Sequence, residues 1–194
     1  MNKNTSLGRL MHRRTFLVSF SLLGLMGCGA ATGMKSDPRP QMDRSYALQG
    51  FNFNVLEGLT VSEDESFYPT ADVVWRGDPL GPRIPQIAAM FEEAAARNRR
   101  VVNGALPVTV DVTLVRFHGV TNRTRYTVGG VYNVVFDMTV RNATTGDVIE
   151  PTRRVVGNLE APGGTRATVL ESEGQTQKVR VTDFLTSLLR AQLV

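Results

Sequence analysis

Two stretches of strict alternation constrain this chain more than any other feature. In residues 107–118, Val108, Val110, Val112 and Leu114 recur at every second position, with Thr109, Asp111 and Thr113 between them. In residues 130–141, Tyr132, Val134, Phe136, Met138 and Val140 do the same against Asn133, Asp137, Thr139 and Arg141. A period of two sends successive side chains to opposite faces of a strand. Both runs therefore predict strands with one apolar and one polar face, the pattern of antiparallel sheets covered on one side only. Asn142-Ala143-Thr144-Thr145-Gly146-Asp147 predicts a hairpin turn. It leads into a further strand from Val148 to about Glu160, in which Pro151 must occupy an edge or a bulge.

Upstream, residues 47–55 alternate Phe51 and Phe53 with Asn52 and Asn54, which predicts another strand, and Asp72-Val73-Val74-Trp75 could form a second, small one. The turn-rich stretch Arg76-Gly77-Asp78-Pro79-Leu80-Gly81-Pro82 leads into a change of period. Ile84, Ile87, Phe91 and Ala94 or Ala95 recur at three and four, predicting a helix over residues 83–100. Arg97, Arg99 and Arg100 gather at its negative end, and Asn103-Gly104 stops it. Val181, Phe184 or Leu185, Leu188 and Gln192 or Leu193 predict a second helix over residues 175–193. Those stripes are buried most simply by an α+β fold: one antiparallel sheet of about four or five strands with two helices packed on one face.

The amino terminus has a different organisation. Residues 1–27 hold Lys3, Arg9, Arg13 and Arg14 and no acid, then an apolar run from Phe16 to Met26, then small residues around Cys28. That run of about 11 residues is short of the roughly 20 that a spanning helix needs. The order basic, apolar, small predicts an exported signal segment. Leu25-Met26-Gly27-Cys28 resembles the lipobox of bacterial lipoproteins. That resemblance implies cleavage before Cys28, diacylglycerol on its sulfur and acylation of the new amine, enough chains for a stable anchor. Gly29 stands where an aspartate would favour inner-membrane retention, so the expectation leans to the outer membrane, facing the periplasm. Arg13-Arg14-Thr15-Phe16-Leu17 resembles the twin-arginine address, with a basic pair of an ordinary signal as the alternative. Translation could begin at Met1 or at Met11.

The domains expected are therefore a signal peptide (1–27), a lipidated cysteine with a flexible tether (28–45), and a single α+β periplasmic domain (46–194). Cleavage also changes the charge. The chain has 22 basic and 18 acidic residues, a net +4, and the signal carries four of the basic ones. The mature part then balances at 18 against 18, which argues against nucleic acid as a partner. Cys28 is the single cysteine, so no intrachain disulfide can form.

Residues able to carry chemistry are sparse. His118 is the one histidine after Cys28, and no His-x-x-His pair, cysteine cluster or nucleophile elbow accompanies it. Glu63, Asp64 and Glu65 could bind a divalent ion, but a solvated acidic loop is the simpler expectation. No metal, cofactor or catalytic residue is expected. Trp75, Arg76 and Asp78 form the densest local cluster. As an aromatic with a charged pair on a loop they could bind a partner; alternatively Trp75 caps the sheet while Arg76 pairs with Asp78. Arg116, Arg123 and Arg125 could meet lipid phosphates, although arginine outnumbers lysine 19 to 3 throughout.

The predicted layout resembles small periplasmic lipoproteins of envelope machines, including the lipopolysaccharide-assembly lipoprotein and auxiliary lipoproteins of envelope transporters. The likeness rests on Thr145-Gly146-Asp147 between two strands and on the terminal helix. A closer resemblance is to an uncharacterised alphaproteobacterial lipoprotein family. It is carried by Leu59-Thr60-Val61-Ser62-Glu63 followed by Val74-Trp75-Arg76-Gly77-Asp78-Pro79. That resemblance brings no known activity with it. The function expected of the chain as a whole is that of a membrane-anchored, non-enzymatic accessory or binding component of a cell-envelope assembly, with an envelope protein as partner. The alternative is a small-ligand-binding protein or enzyme exported folded.

Overall fold

The computed structural model describes residues 44–194. The expected signal peptide, Cys28 and all but the last two tether residues lie outside the described residues. In chain order the elements are β1 (Tyr46–Val55), β2 (Val73–Val74), α1 (Arg83–Arg99), β3 (Leu106–His118), α2 (Asn122–Arg125), β4 (Gly130–Asn142), β5 (Val148–Ala161), α3 (Gly164–Ser172) and α4 (Gln177–Arg190). The fold is α+β, built on a five-stranded sheet of order β1-β3-β4-β5 in which β2 also pairs with β3.

The pairs β3–β4 and β4–β5 are antiparallel, as the alternation predicts. The sheet as a whole is mixed, because β1 and β2 both run parallel to β3. The reason lies in the connection. Parallel neighbours need a crossover of a dozen residues or more, usually helical, and α1 lies between β1 and β3. β1 covers β3 from Leu106 to Leu114, and β2 takes the same edge at Phe117 and His118. The hairpin turn forms as expected. Gly146 adopts φ +80°, the left-handed region glycine favours, while Asn142 Oδ1 accepts from the Thr144 and Thr145 amides at 2.8 and 3.1 Å.

One face of the sheet carries the core. Val110, Val112, Leu114, Val134, Phe136 and Met138 are buried against Ile87, Met90 and Phe91 of α1 and Val181, Leu185 and Leu189 of α4. Phe91 meets Phe136 edge-on at 5.5 Å and Phe53 at 5.2 Å. Each such side chain removed from water stabilises by about 1.5–3 kcal/mol. The two helices are tied by Asn98, whose Nδ2 donates to the Thr186 carbonyl at 2.9 Å and whose Oδ1 accepts from Arg190 at 3.1 Å. The opposite face is polar and pairs its charges across strands: Arg141 with Asp111 at 2.7 Å and Arg154 with Asp137 at 2.9 Å.

Two short helices were not anticipated. α2 is capped by Thr121, whose hydroxyl accepts from the Thr124 amide. α3 opens at Gly164 and buries only Ala167.

At the hairpin end a buried carboxylate closes the core. Glu150, 5% exposed, accepts from Tyr46 Oη and Arg44 Nε, both at 2.8 Å, and pairs with Arg153 at 3.2 Å. Burial alone would raise its pKa. The Tyr46 hydrogen bond and the Arg44 and Arg153 charges outweigh that and hold it below the ordinary carboxylate range. Burial and the same Glu150 bond push the Tyr46 phenol up to about 12.

Two measurements check this packing. A Cβ on Gly157 of β5 would lie 2.6 Å from Leu188 Cδ2 and 2.7 Å from Phe184 Cζ. Gly157→Val should therefore lift α4 and lower unfolding stability by about 1–3 kcal/mol, read as a fall in urea midpoint. Glu150 is more acidic folded than unfolded, so its stabilisation is complete above the unfolded carboxylate range and is lost as pH falls through the folded pKa. Urea midpoints should drop as pH is lowered through about 4, and Glu150→Gln should start lower at neutral pH and show a shallower drop.

Candidate functional site

The loop from Leu56 to Pro82 holds the residues that stood out in the sequence, and its geometry is one continuous polar network. Trp75 follows β2 and points inward, with no exposed surface. Its ring lies edge-on to Phe117 at 5.6 Å and tilted to Tyr132 at 6.3 Å. A buried indole N–H needs an acceptor, and Asp78 Oδ2 provides one at 2.8 Å. Asp78 Oδ1 in turn accepts from Lys178 Nζ of α4 at 2.6 Å. Gly77 makes that return possible, since a Cβ there would lie 2.2 Å from Trp75 Cζ2.

Arg76 does not pair with Asp78. Its side chain is 4% exposed and turns to the acidic stretch, donating to Glu65 Oε1 at 2.7 Å and to the carbonyls of Ser62, Asp64 and Trp75. Arg83, equally buried at the start of α1, grips Glu63 with two bonds of 2.7 and 2.9 Å. The remaining oxygen of Glu65 accepts from the Asn122 and Arg123 amides at the start of α2. Glu63 and Glu65 keep nearly half of their side-chain surface exposed, while arginines and a helix end answer their charge. The Arg83 hydrogen bond holds Glu63 below its ordinary pKa. The side chains of Trp75, Arg76 and Asp78 each meet a partner within the domain.

The three arginines of residues 116–125 separate. Arg125 is buried and ion-paired with Glu171 of α3, and Arg123 lies over the Phe67 ring at 4.4 Å. Arg116 instead lines an open depression of about 600 Å³ with Thr60, Tyr68, Thr70, Asp72 and His118. His118 Nδ1 lies 2.9 Å from the Ala71 carbonyl, which can only accept, so that nitrogen carries the ring proton and Nε2 is the remaining polar atom. Asp72 Oδ2 accepts from the Thr60 amide and hydroxyl at 2.9 and 2.7 Å.

The depression depends on an irregularity in the alternation of β3. Strict period two would turn Arg116 and His118 to the core face with Val112 and Leu114. The β3–β4 register shifts between Leu114 and Arg116, so Phe117 is the buried residue instead. The bulge re-aims Arg116 and His118 away from the core. A second concavity, about 380 Å³ between α1 and α4, is lined by Met90, Glu93, Arg97, Lys178 and Val179. Arg97 spans it, bonded to Glu93 at 2.9 Å and Asp183 at 2.6 Å. Among the described residues no group of three or more His, Cys, Asp or Glu side chains could hold a metal.

Comparison with known proteins gives a family and two distant structural likenesses. No curated protein matches the chain significantly. Among solved structures it is similar to a Xanthomonas campestris protein assigned to family DUF330, with 12% identity, a TM-score of 0.41, and coverage of 79% of this chain and 90% of that one. It is also similar to a candidate lipoprotein of Caulobacter crescentus CB15, with 12% identity, a TM-score of 0.28, and coverage of 74% and 86%. Likeness at this level carries nothing about either protein's role over to this chain. The profile of a family of unknown function, DUF6778, matches residues 46–194. That span runs from the first residue of β1 to the last residue of the chain, and the protein therefore belongs to the DUF6778 family of unknown function.

Proposed function

We propose that this protein is a lipid-anchored lipoprotein of the bacterial cell envelope, facing the periplasm, that serves as a non-enzymatic binding component of an envelope assembly. The observation that carries the reading is Leu25-Met26-Gly27-Cys28 at the end of a short apolar run, with the chain's single cysteine at the cleavage position. No described helix is long and apolar enough to cross a membrane, so attachment on this reading rests on the lipid. Gly29 after the cysteine favours the outer membrane.

The geometry fits such an anchor. Arg44 and Tyr46 are clamped to Glu150, so the 16 residues from Cys28 to Asp43 can hold the domain at most about 55 Å from the bilayer surface. Arg44 thus meets the sheet at the end that carries the β4–β5 hairpin. The depression beside Arg116 lies at the other end of β3. A second reading, a small-ligand-binding protein, draws on that depression.

The test is to express the full chain and its Cys28→Ala variant in a bacterial host. Products are fractionated, weighed intact, and purified after mild crosslinking. The wild-type product should begin at Cys28, carry acyl mass, stay with membranes and bring a stoichiometric envelope protein with it. The variant should carry no acyl mass. A wild-type product that is unacylated, or that begins elsewhere, contradicts the anchor. A correctly acylated product that comes out alone contradicts the accessory role.

A further inference from the structure

The depression at the end of β3 is lined by donors that the fold does not use. Among the described residues none hydrogen-bonds to the Arg116 guanidinium, and its interaction with Asp72 is through charge alone. Arg116 is half-buried, and none of its nitrogens is shut off from solvent, so its donors are open to water or to a ligand. Arg123 and Arg125, close by in sequence, have their ring and carboxylate partners. Beside Arg116 stand His118, with Nε2 remaining, and two exposed hydroxyl residues, Thr70 and Tyr68, the latter 85% exposed.

We propose that this depression binds a phosphate group, held by the fork of Arg116 with His118 beside it and the Thr70 and Tyr68 hydroxyls at the rim. The guanidinium presents parallel donors that match two phosphate oxygens. The imidazole Nε2 can accept a hydrogen bond from the P–OH of a hydrogen phosphate. Hydroxyls supply further donors, and the Tyr68 ring offers a face for whatever the phosphate is attached to. The bulge at Val115 supports the assignment, because it directs two of the four groups to one place. Asp72 works against an anion. Its Oδ2 is already engaged by Thr60, but its charge remains and weakens binding. The site needs only the folded domain and does not depend on the anchor at Cys28.

The test uses the full-length chain in neutral detergent micelles, with histidine ring labels observed by NMR while inorganic phosphate is titrated against chloride at constant ionic strength. After cleavage at Cys28 the ring signals come from His118 alone. They should shift along a single saturating curve. Arg116→Ala should weaken binding about tenfold or more, the loss of a hydrogen bond to a charged group, and Arg116→Lys should fall between. Asp72→Asn should tighten it, an opposite change that a loss of folding cannot produce. A parallel titration with glycerophosphoglycerol separates the sources: tighter binding than inorganic phosphate identifies a lipid headgroup, and weaker binding identifies a free phosphate. Absence of a saturating shift with either probe, or an unchanged curve in Arg116→Ala, overturns the site.

Discussion

A buried indole with its N–H satisfied by a charged carboxylate organises the loop side of this domain. Trp75 fills the space between Phe117 and Tyr132, and its N–H cannot be left without an acceptor once water is excluded. Asp78 answers it, and the carboxylate brought inward then needs a cation, which Lys178 supplies from the last helix. Hydrogen bonds to charged groups contribute about 1.5–3 kcal/mol each. Each demand creates the next, and the chain from Trp75 to Asp78 turns back onto the core as a result. Arg76 and Arg83 extend the same logic to Glu63 and Glu65, and Glu65 reaches α2. A loop of more than twenty residues is thus ordered with little apolar surface of its own.

That ordering shapes what the other face of the loop presents. The segment from Thr60 to Asp72 is held beside β3 by Asp72 and by the backbone bonds between Thr60, Ser62 and Val73. The depression exists because this segment stands against the edge where β1 has left β3 and β2 has joined it.

Much of the fold was legible because it depends on local period. The alternation in β3 and β4, the hairpin at Asn142–Asp147 and the apolar stripes of α1 and α4 all follow from side-chain direction along one element. What escaped depends on contacts distant in sequence. Nothing within residues 46–55 distinguishes a parallel from an antiparallel neighbour; the α1 crossover decides it. Helix α3 buries one alanine, too little to give a stripe. Arg76 was expected to pair with the nearest acid, Asp78, yet the buried indole claims that carboxylate first and the arginine turns to Glu65. The candidate depression was the least legible part. Its lining comes from residues 60–72 and 116–118, and the bulge that aims Arg116 and His118 into it is marked only by a change of phase after Leu114, where Val115 and Phe117 take over as the apolar positions.

The central claim, that Trp75 is an internal pin and not a docking residue, is open to one direct measurement. The chain has a single tryptophan, so the intrinsic fluorescence of the full-length protein reports on Trp75 alone. Acrylamide quenching in the native state should be weak, with emission well to the blue of the same protein in denaturant. Asp78→Ala, which strands the indole N–H, should bring both towards the denatured values. Native emission already at the denatured position, with quenching as efficient as in the unfolded chain, would place Trp75 at the surface and contradict the account.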